Sequence, residues 1–310
     1  MILTVTLNTS IDKLYMLRKQ TPYSVMRVQE VINTAGGKGM NVSRVAAKLG
    51  EPVTAMGFIG GFTGQYFESL ITQPEIRKAF TRIAAETRSC INIWDASCGM
   101  STEYLEPGAL VEESEFARFF TDFQRQLPNA DVVTISGSIP KGVPADAYEV
   151  MIRLCRDAGK SVLLDTSGVS LKSTLRERPT LIKPNTDELT QLIGSVPSSL
   201  EGLAEAAYEM HRGGIPMVVL SLGAQGAVMA CAQGTYWGKP PRIDPKNTVG
   251  CGDSMLAGLA VGIARKRSVM EQLRLAIAVS AASALSLATG DFNPDDYHAI
   301  YPNVEIAQLN

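Results

Sequence analysis

An alternation constrains this chain more than any other feature. Short apolar runs lie at residues 2–7, 53–59, 131–136, 161–165, 181–183 and 216–221, with segments of helical periodicity between them. Val42, Val45, Ala46 and Leu49 share one face of a helix predicted over 41–49, and Gly50 stops it. Further helices are predicted over 115–127, 145–158, 200–212 and 254–265. Strands separated by helices form βαβ units, so the fold class is α/β with a mostly parallel sheet covered on both faces. Residues 11–34 and 88–106 break the pattern. They read as short strands rich in Ile, Val, Tyr and Trp, with no helix between them. A small β-sheet added to the main domain is predicted there, in the position of a lid. With 310 residues, 45% of them hydrophobic, the chain can fill one large core or two modest ones. Residues 1–310 are read as one domain carrying a discontinuous lid.

Composition removes several classes of function. A net charge of −2 lacks the Lys and Arg surplus that drives general nucleic-acid binding. The five cysteines, Cys90, Cys98, Cys155, Cys231 and Cys251, are widely spaced with no CxxC pair, which disfavours zinc ribbons and thioredoxin-like chemistry. Free thiols in a reducing cytoplasm are expected. The opening MILTVTLNTSIDK lacks the basic and apolar regions of a signal peptide and reads as a first strand. Residues 275–287 are apolar but too short to span a membrane, and suit a buried helix, so no membrane association is expected. His211 and His298 are the only histidines and fall in polar contexts near predicted helix ends. A Ser-His-Asp hydrolase or a histidine-based zinc enzyme is therefore disfavoured. An enzyme on this chain would use a carboxylate as its base.

Every predicted strand runs into small or polar residues: TLNTSID, FIGGFTG, ISGSIPKG, LLDTSG, IKPNTDE and VLSLGAQG. Ligands of open parallel sheets bind outside the carboxyl ends of the strands. These clusters would gather along that edge.

The sharpest local pattern is NTVGCGDSMLAG, residues 247–258. Gly250 and Gly252 permit unusual backbone angles, and the following helix points its free N–H groups at the turn. Asp253 at that helix start is either a general base beside an anion site or an N-cap. The loop AGGKGMN, residues 35–41, enters a helix without Walker A spacing. It offers backbone, lysine and asparagine donors to hydroxyl groups, or is a plain glycine turn. In KPNTDE, Asn185 and Glu188 could face the waters of Mg²⁺, or simply open a helix. Ser221–Gly226 is a glycine turn between two apolar strands, whose plain reading is a tight hairpin. Asp12 can accept bonds from sugar hydroxyls or stand as a solvated loop acid. Arg27 and Arg88 suit phosphate, though each alone fits a surface charge. No GxGxxG occurs at a strand-to-helix junction, which weighs against a nicotinamide dehydrogenase.

Together these segments resemble the PfkB group of ribokinase-like carbohydrate kinases. GGKGMNVSRVAAKLG and TVGCGDSMLAG look like its two signatures, with KPNTDEL between them in the expected order. The resemblance implies a three-layer α/β/α domain with a β lid, and a homodimer formed through that lid. It implies Asp253 as catalytic base, with the amides of Gly250, Cys251 and Gly252 as an anion hole. Asp12, Gly37, Lys38, Asn41 and Ser138 would hold the sugar, and Arg27 and Arg88 its phosphate. Lys183, Asn185, Ser221, Gly223, Gly226 and Ser283 would serve ATP. Asn185 and Glu188 would serve Mg²⁺ through water, and a monovalent cation is an optional addition. MILTVTLNTSID, ETRSCINI, ISGSIPKG and VLSLGAQGA look most similar to tagatose-6-phosphate kinases and 1-phosphofructokinases. Thr9 stands where the group usually has proline, and Cys251 where it has alanine or serine. Cys251 suggests sensitivity to thiol reagents.

The expected reaction moves the γ-phosphoryl of ATP to a primary hydroxyl of a ketohexose phosphate. Tagatose 6-phosphate leads as acceptor, then fructose 1-phosphate and fructose 6-phosphate. A non-catalytic sensor of nucleotides or sugar phosphates is the rival outside enzymes, and retention of Asp253 with its glycines argues against it. A nucleoside kinase is the rival within the family, and the two arginines argue against it.

Overall fold

The structure is a computed structural model that describes residues 1–195, 197 and 199–309. In chain order its strands and helices are β1 Ile2–Thr6, β2 Ser10–Leu17, β3 Glu30–Gly36, α1 Lys38–Lys48, β4 Val53–Gly60, α2 Gly61–Ser69, β5 Ile76–Lys78, β6 Thr81–Ile83, β7 Arg88–Asp95 and β8 Met100–Leu105. There follow α3 Glu113–Gln126, β9 Val132–Ser136, α4 Ala147–Asp157, β10 Ser161–Asp165, α5 Gly168–Thr174, β11 Leu181–Ile182, α6 Thr186–Ile193, α7 Leu200–Arg212 and β12 Met217–Ser221. The chain ends in β13 Ala227–Cys231, β14 Gly234–Lys239, α8 Cys251–Ala264, α9 Val269–Ala284, α10 Pro294–Ile300 and β15 Glu305–Leu309.

The main sheet runs β15-β14-β13-β12-β11-β10-β9-β1-β4-β5, with β6 also on β4. Its pairs from β12 to β5 are parallel, and those from β12 to β15 are antiparallel. Strand residues alternate between two cores. Ile2, Leu163 and Val219 face α1, α8 and α9, whereas Leu3, Leu164 and Leu220 join residues of α3, α4 and α7. Burial on both faces explains why these strands read as unbroken apolar runs. The expected α/β class and parallel sheet are found. The antiparallel end, with β14 and β15, was not read from the sequence.

A separate sheet of order β3-β2-β7-β8 lies over the carboxyl edge of the main sheet. It is built from the two segments that broke the helical alternation. Residues 275–284 of the apolar segment lie in α9 and are buried except for half-buried Ser280, and the helix ends at Ala284. Among the described residues, no helix is long and apolar enough to cross a membrane.

Some boundaries shift. Helix α1 begins at Lys38 instead of 41, because Gly37, at φ 96°, already turns the chain into it. Helix α8 begins at Cys251 with Gly250 as its N-cap, so Asp253 is a first-turn residue and not the cap.

Candidate active site

The parallel strands end together, and their following loops open into a cavity of about 1870 Å³ beneath the small sheet. Asp12, Gly37, Lys38, Asn41, Arg88, Ser138, Lys183, Asn185, Glu188, Ser221, Gly223, Gly226 and residues 250–253 all line it.

Asp253 is 6% exposed, and its Oδ2 accepts a 2.7 Å hydrogen bond from Asn41 Nδ2. Burial first, and then the charge of Asp165, push its carboxyl up to about 6, against the pull of Lys38, Asn41 and Lys183. A carboxylate with that proton affinity can take a hydroxyl proton near neutral pH and release it again. The turn before it needs glycine at 250. Its φ is 80°, and a Cβ there would stand 2.6 Å from Thr289 Cγ2.

The amides of Gly250, Gly252 and Asp253 donate to no carbonyl among the described residues. They are the orphan donors of a helix N-terminus and can meet an anion. Cys251 corrects the expectation. Its N–H is spent on Thr248 O at 3.3 Å, so it does not belong to the hole. Its thiol is pushed up to about 12 by burial and by the charge of Asp253. The thiol therefore stays protonated, against the expected reactivity.

Asp165 ends β10 and is the cavity residue that sequence reasoning passed over. It is 2% exposed and binds Lys38 Nζ at 3.1 Å and Lys183 Nζ at 3.2 Å. Burial alone would raise its carboxyl, but Lys183 and Lys38 outweigh it and hold the group below the usual carboxylate range. The charge of Asp165 in turn holds Lys38 above the usual lysine range. The Lys183 ammonium would lie 3.2 Å from any Cβ placed on Gly252, so it sits beside the anion-accepting turn. In the sequence, Asp165 stands in the strand-end segment LLDTSG, at the edge where ligands of open parallel sheets bind.

On the other side, Asp12 accepts from Ser10 Oγ at 2.6 Å and from Gly37 N at 3.4 Å. Burial raises its carboxyl, opposed by Ser10, Arg44, Gly37 and Arg88. Gly36 must lack a side chain, because its Cβ would fall 2.0 Å from Asp12 Cγ. Arg88 reaches the cavity, yet its Nη atoms donate to Glu106 O at 2.7 Å and Asn8 O at 3.1 Å. Asn8, also unread from sequence, donates to Ser138 Oγ at 2.9 Å. Thr9, in the usual proline position, is buried and its hydroxyl donates to Phe58 O.

Asn185 and Glu188 form a capping box on α6. Glu188 N donates to Asn185 Oδ1 at 2.7 Å, and Asn185 N to Glu188 Oε2 at 3.0 Å. Asn185 Oδ1 thus serves the helix cap, while Asn185 and Glu188 both line the cavity. The turn at 221–226 is a hairpin between β12 and β13, as the plain reading had it, and it lines the cavity.

Two expected residues are not brought in. Arg27 is exposed on the loop between β2 and β3, away from the cavity lining. Ser283 is 2% exposed, and Ser254 Oγ lies 3.0 Å from its hydroxyl between α8 and α9. Ser280, Ala281 and Ala284, on another face of α9, line the cavity instead.

A model of the pfkB family of carbohydrate kinases matches residues 5–296. Phosphofructokinase-2 from Escherichia coli in complex with fructose-6-phosphate is 29% identical, with 97% of this chain and 98% of that chain covered and a TM-score of 0.88. A possible 1-phosphofructokinase from Thermotoga maritima is 23% identical, with 100% and 99% covered and a TM-score of 0.90. Ribokinase from Arabidopsis thaliana, complexed with ribose and ATP, is 19% identical over 96% and 97%, with a TM-score of 0.75. The last two likenesses speak to the fold alone.

Proposed function

This chain belongs to the pfkB family of carbohydrate kinases, and from that premise we propose that it transfers the γ-phosphoryl of ATP to a primary hydroxyl of a ketohexose phosphate. The observation that carries this reading is Asp253, buried, oriented by Asn41 and set beside three unused amides. Asp253 takes the hydroxyl proton as the oxygen–phosphorus bond forms, and ADP leaves with the electron pair. Lys183 and the amides of Gly250, Gly252 and Asp253 neutralise charge on the moving group. Asp12 and Lys38 hold acceptor hydroxyls, and the small sheet excludes water.

No cage of three or more metal-ligating side chains is gathered among the described residues. That fits Mg²⁺ bound through waters and substrate phosphates, which needs only one or two carboxylates. Glu188 would supply one such group. The ion would add positive charge that eases departure of ADP.

We assign tagatose 6-phosphate as acceptor on the segments quoted above. Fructose phosphates form the second reading, favoured by the phosphofructokinase-2 relative in complex with fructose-6-phosphate. A coupled ADP-release assay across tagatose 6-phosphate, fructose 6-phosphate, fructose 1-phosphate and the free sugars decides. Preference for a free sugar overturns the phosphate-binding role of Arg88. We further propose pairing of copies through the small sheet, whose β8 is exposed along its length with Met100, Tyr104 and Leu105.

A further inference from the structure

Arg44 is half-buried on α1, where its charge faces Asp12, Asp291 and Asp253. Its guanidinium donates to three oxygens from three parts of the chain. One is Ala35 O, at the end of β3. Another is Asn41 Oδ1, three residues earlier on α1. The last, at 2.9 Å, is Thr289 O, in the loop that packs against Gly250. None is a carboxylate. A cation placed this way is costly to bury, and its fixed fork is suited to holding several acceptors at once.

The consequence lies in Asn41. A carboxamide has one accepting and one donating end, and the two are interchangeable in shape. With Oδ1 held by Arg44, Nδ2 must face Asp253. Turned the other way, Asn41 would set an oxygen against the carboxylate. We propose that Arg44 is a positioning residue, which acts through Asn41 to orient Asp253 and to keep a donor on its carboxylate. This rests on Asp253 being the base. The other charged and titratable groups around Asp253 are Lys38 on α1, Asp165 at the end of β10, Lys183 after β11 and Cys251 on α8.

The test is a double-mutant cycle on the purified full chain, read by ADP release with the preferred acceptor from the substrate screen. Arg44→Met is expected to lower kcat about tenfold or more with little change in acceptor KM. It should also move the acid limb of the kcat profile upward by about half a unit, since a lost donor makes Asp253 easier to protonate. Arg44→Lys should recover part of both. In an Asn41→Ala background, Arg44→Met should move the acid limb by a clearly smaller step, since only the direct pull of the Arg44 charge on Asp253 is then lost. An equal shift in both backgrounds, or none in either, overturns the inference. If Arg44→Met fails to fold, Arg44→Lys is run through the same cycle. Asp253→Asn is the control: a near-native rate there fails the base assignment, whereas its loss together with an absent cycle fails only the role of Arg44.

Discussion

Asn41 Nδ2 donates to Asp253 Oδ2 at 2.7 Å, joining the first turns of α1 and α8. Asn41 comes from the early glycine loop and Asp253 from the late one. Two glycine-rich segments that are weak signals singly become one constellation because α1, after β3, and α8, after β14, pack directly against each other. Asp253 is therefore not an N-cap. Gly250 holds that position, and the carboxylate is left to face the cavity.

Asp253→Asn should leave the fold intact and lower kcat by about a thousandfold, within the range for loss of a positioned base. Steady-state ADP release paired with circular dichroism checks it. A folded variant turning over within tenfold of the parent would remove the base assignment.

The pH behaviour follows from the carboxyl being raised to about 6. Activity requires the ionised form, so kcat/KM should climb with pH through about 6 and then level. Stability runs the other way. A folded value above the unfolded one favours the native state at low pH, and that contribution is lost as pH rises through about 6. At pH 7.5 the loss is on the order of 2–3 kcal/mol. Asp253→Asn avoids it, so the variant should melt higher than the parent, by a margin that widens from pH 4 to pH 7. Thermal melts across that range decide, and a margin flat with pH contradicts the buried charge.

Thiol chemistry separates two cysteines. Cys98 is exposed, whereas Cys251 is half-buried with its thiol pushed up to about 12. The thiolate is the reactive form. Iodoacetamide at pH 7.5 should label Cys98 first and leave turnover unchanged while Cys251 stays unmodified. Mass spectrometry of the labelled chain, timed against activity, is the measurement. Early labelling of Cys251 would contradict the burial argument.

The parallel core was legible because its strands are buried on both faces and therefore read as apolar runs. The small sheet was legible because its two segments interrupt the helical pattern. What escaped was set by side-chain partners, which periodicity does not encode. Arg27 looked like Arg88 in sequence, but one lies on an exposed loop and the other reaches the cavity from β7. Ser283 faces Ser254 because one turn of α9 decides which side meets α8. Asp165 and Arg44 both lie inside quoted segments, LLDTSG and GGKGMNVSRVAAKLG, yet nothing in those segments marks either as a site residue. The weight of Asp165 comes from Lys38 and Lys183, far off in the chain, and that of Arg44 from its hold on Asn41 and on the distant Thr289.

Asp165 carries the last prediction. It is 2% exposed and Lys183 5%, while Lys38 is 41% exposed, so the pair that matters for stability is Asp165 with Lys183. Removing one partner of a buried pair costs about 3–5 kcal/mol, because the other charge is left without compensation. Asp165→Ala should therefore lower the urea midpoint by that equivalent at pH 7. Asp165→Asn keeps an acceptor for both lysines and should cost less. Because Lys183 sits beside Gly252, both variants should also raise the KM for ATP more than that for the sugar. Urea unfolding at pH 7, with KM for both substrates, checks the set. An Asp165→Ala midpoint unchanged from the parent would mean that Lys183 finds water or another acceptor, and the buried bridge would lose its place in the site.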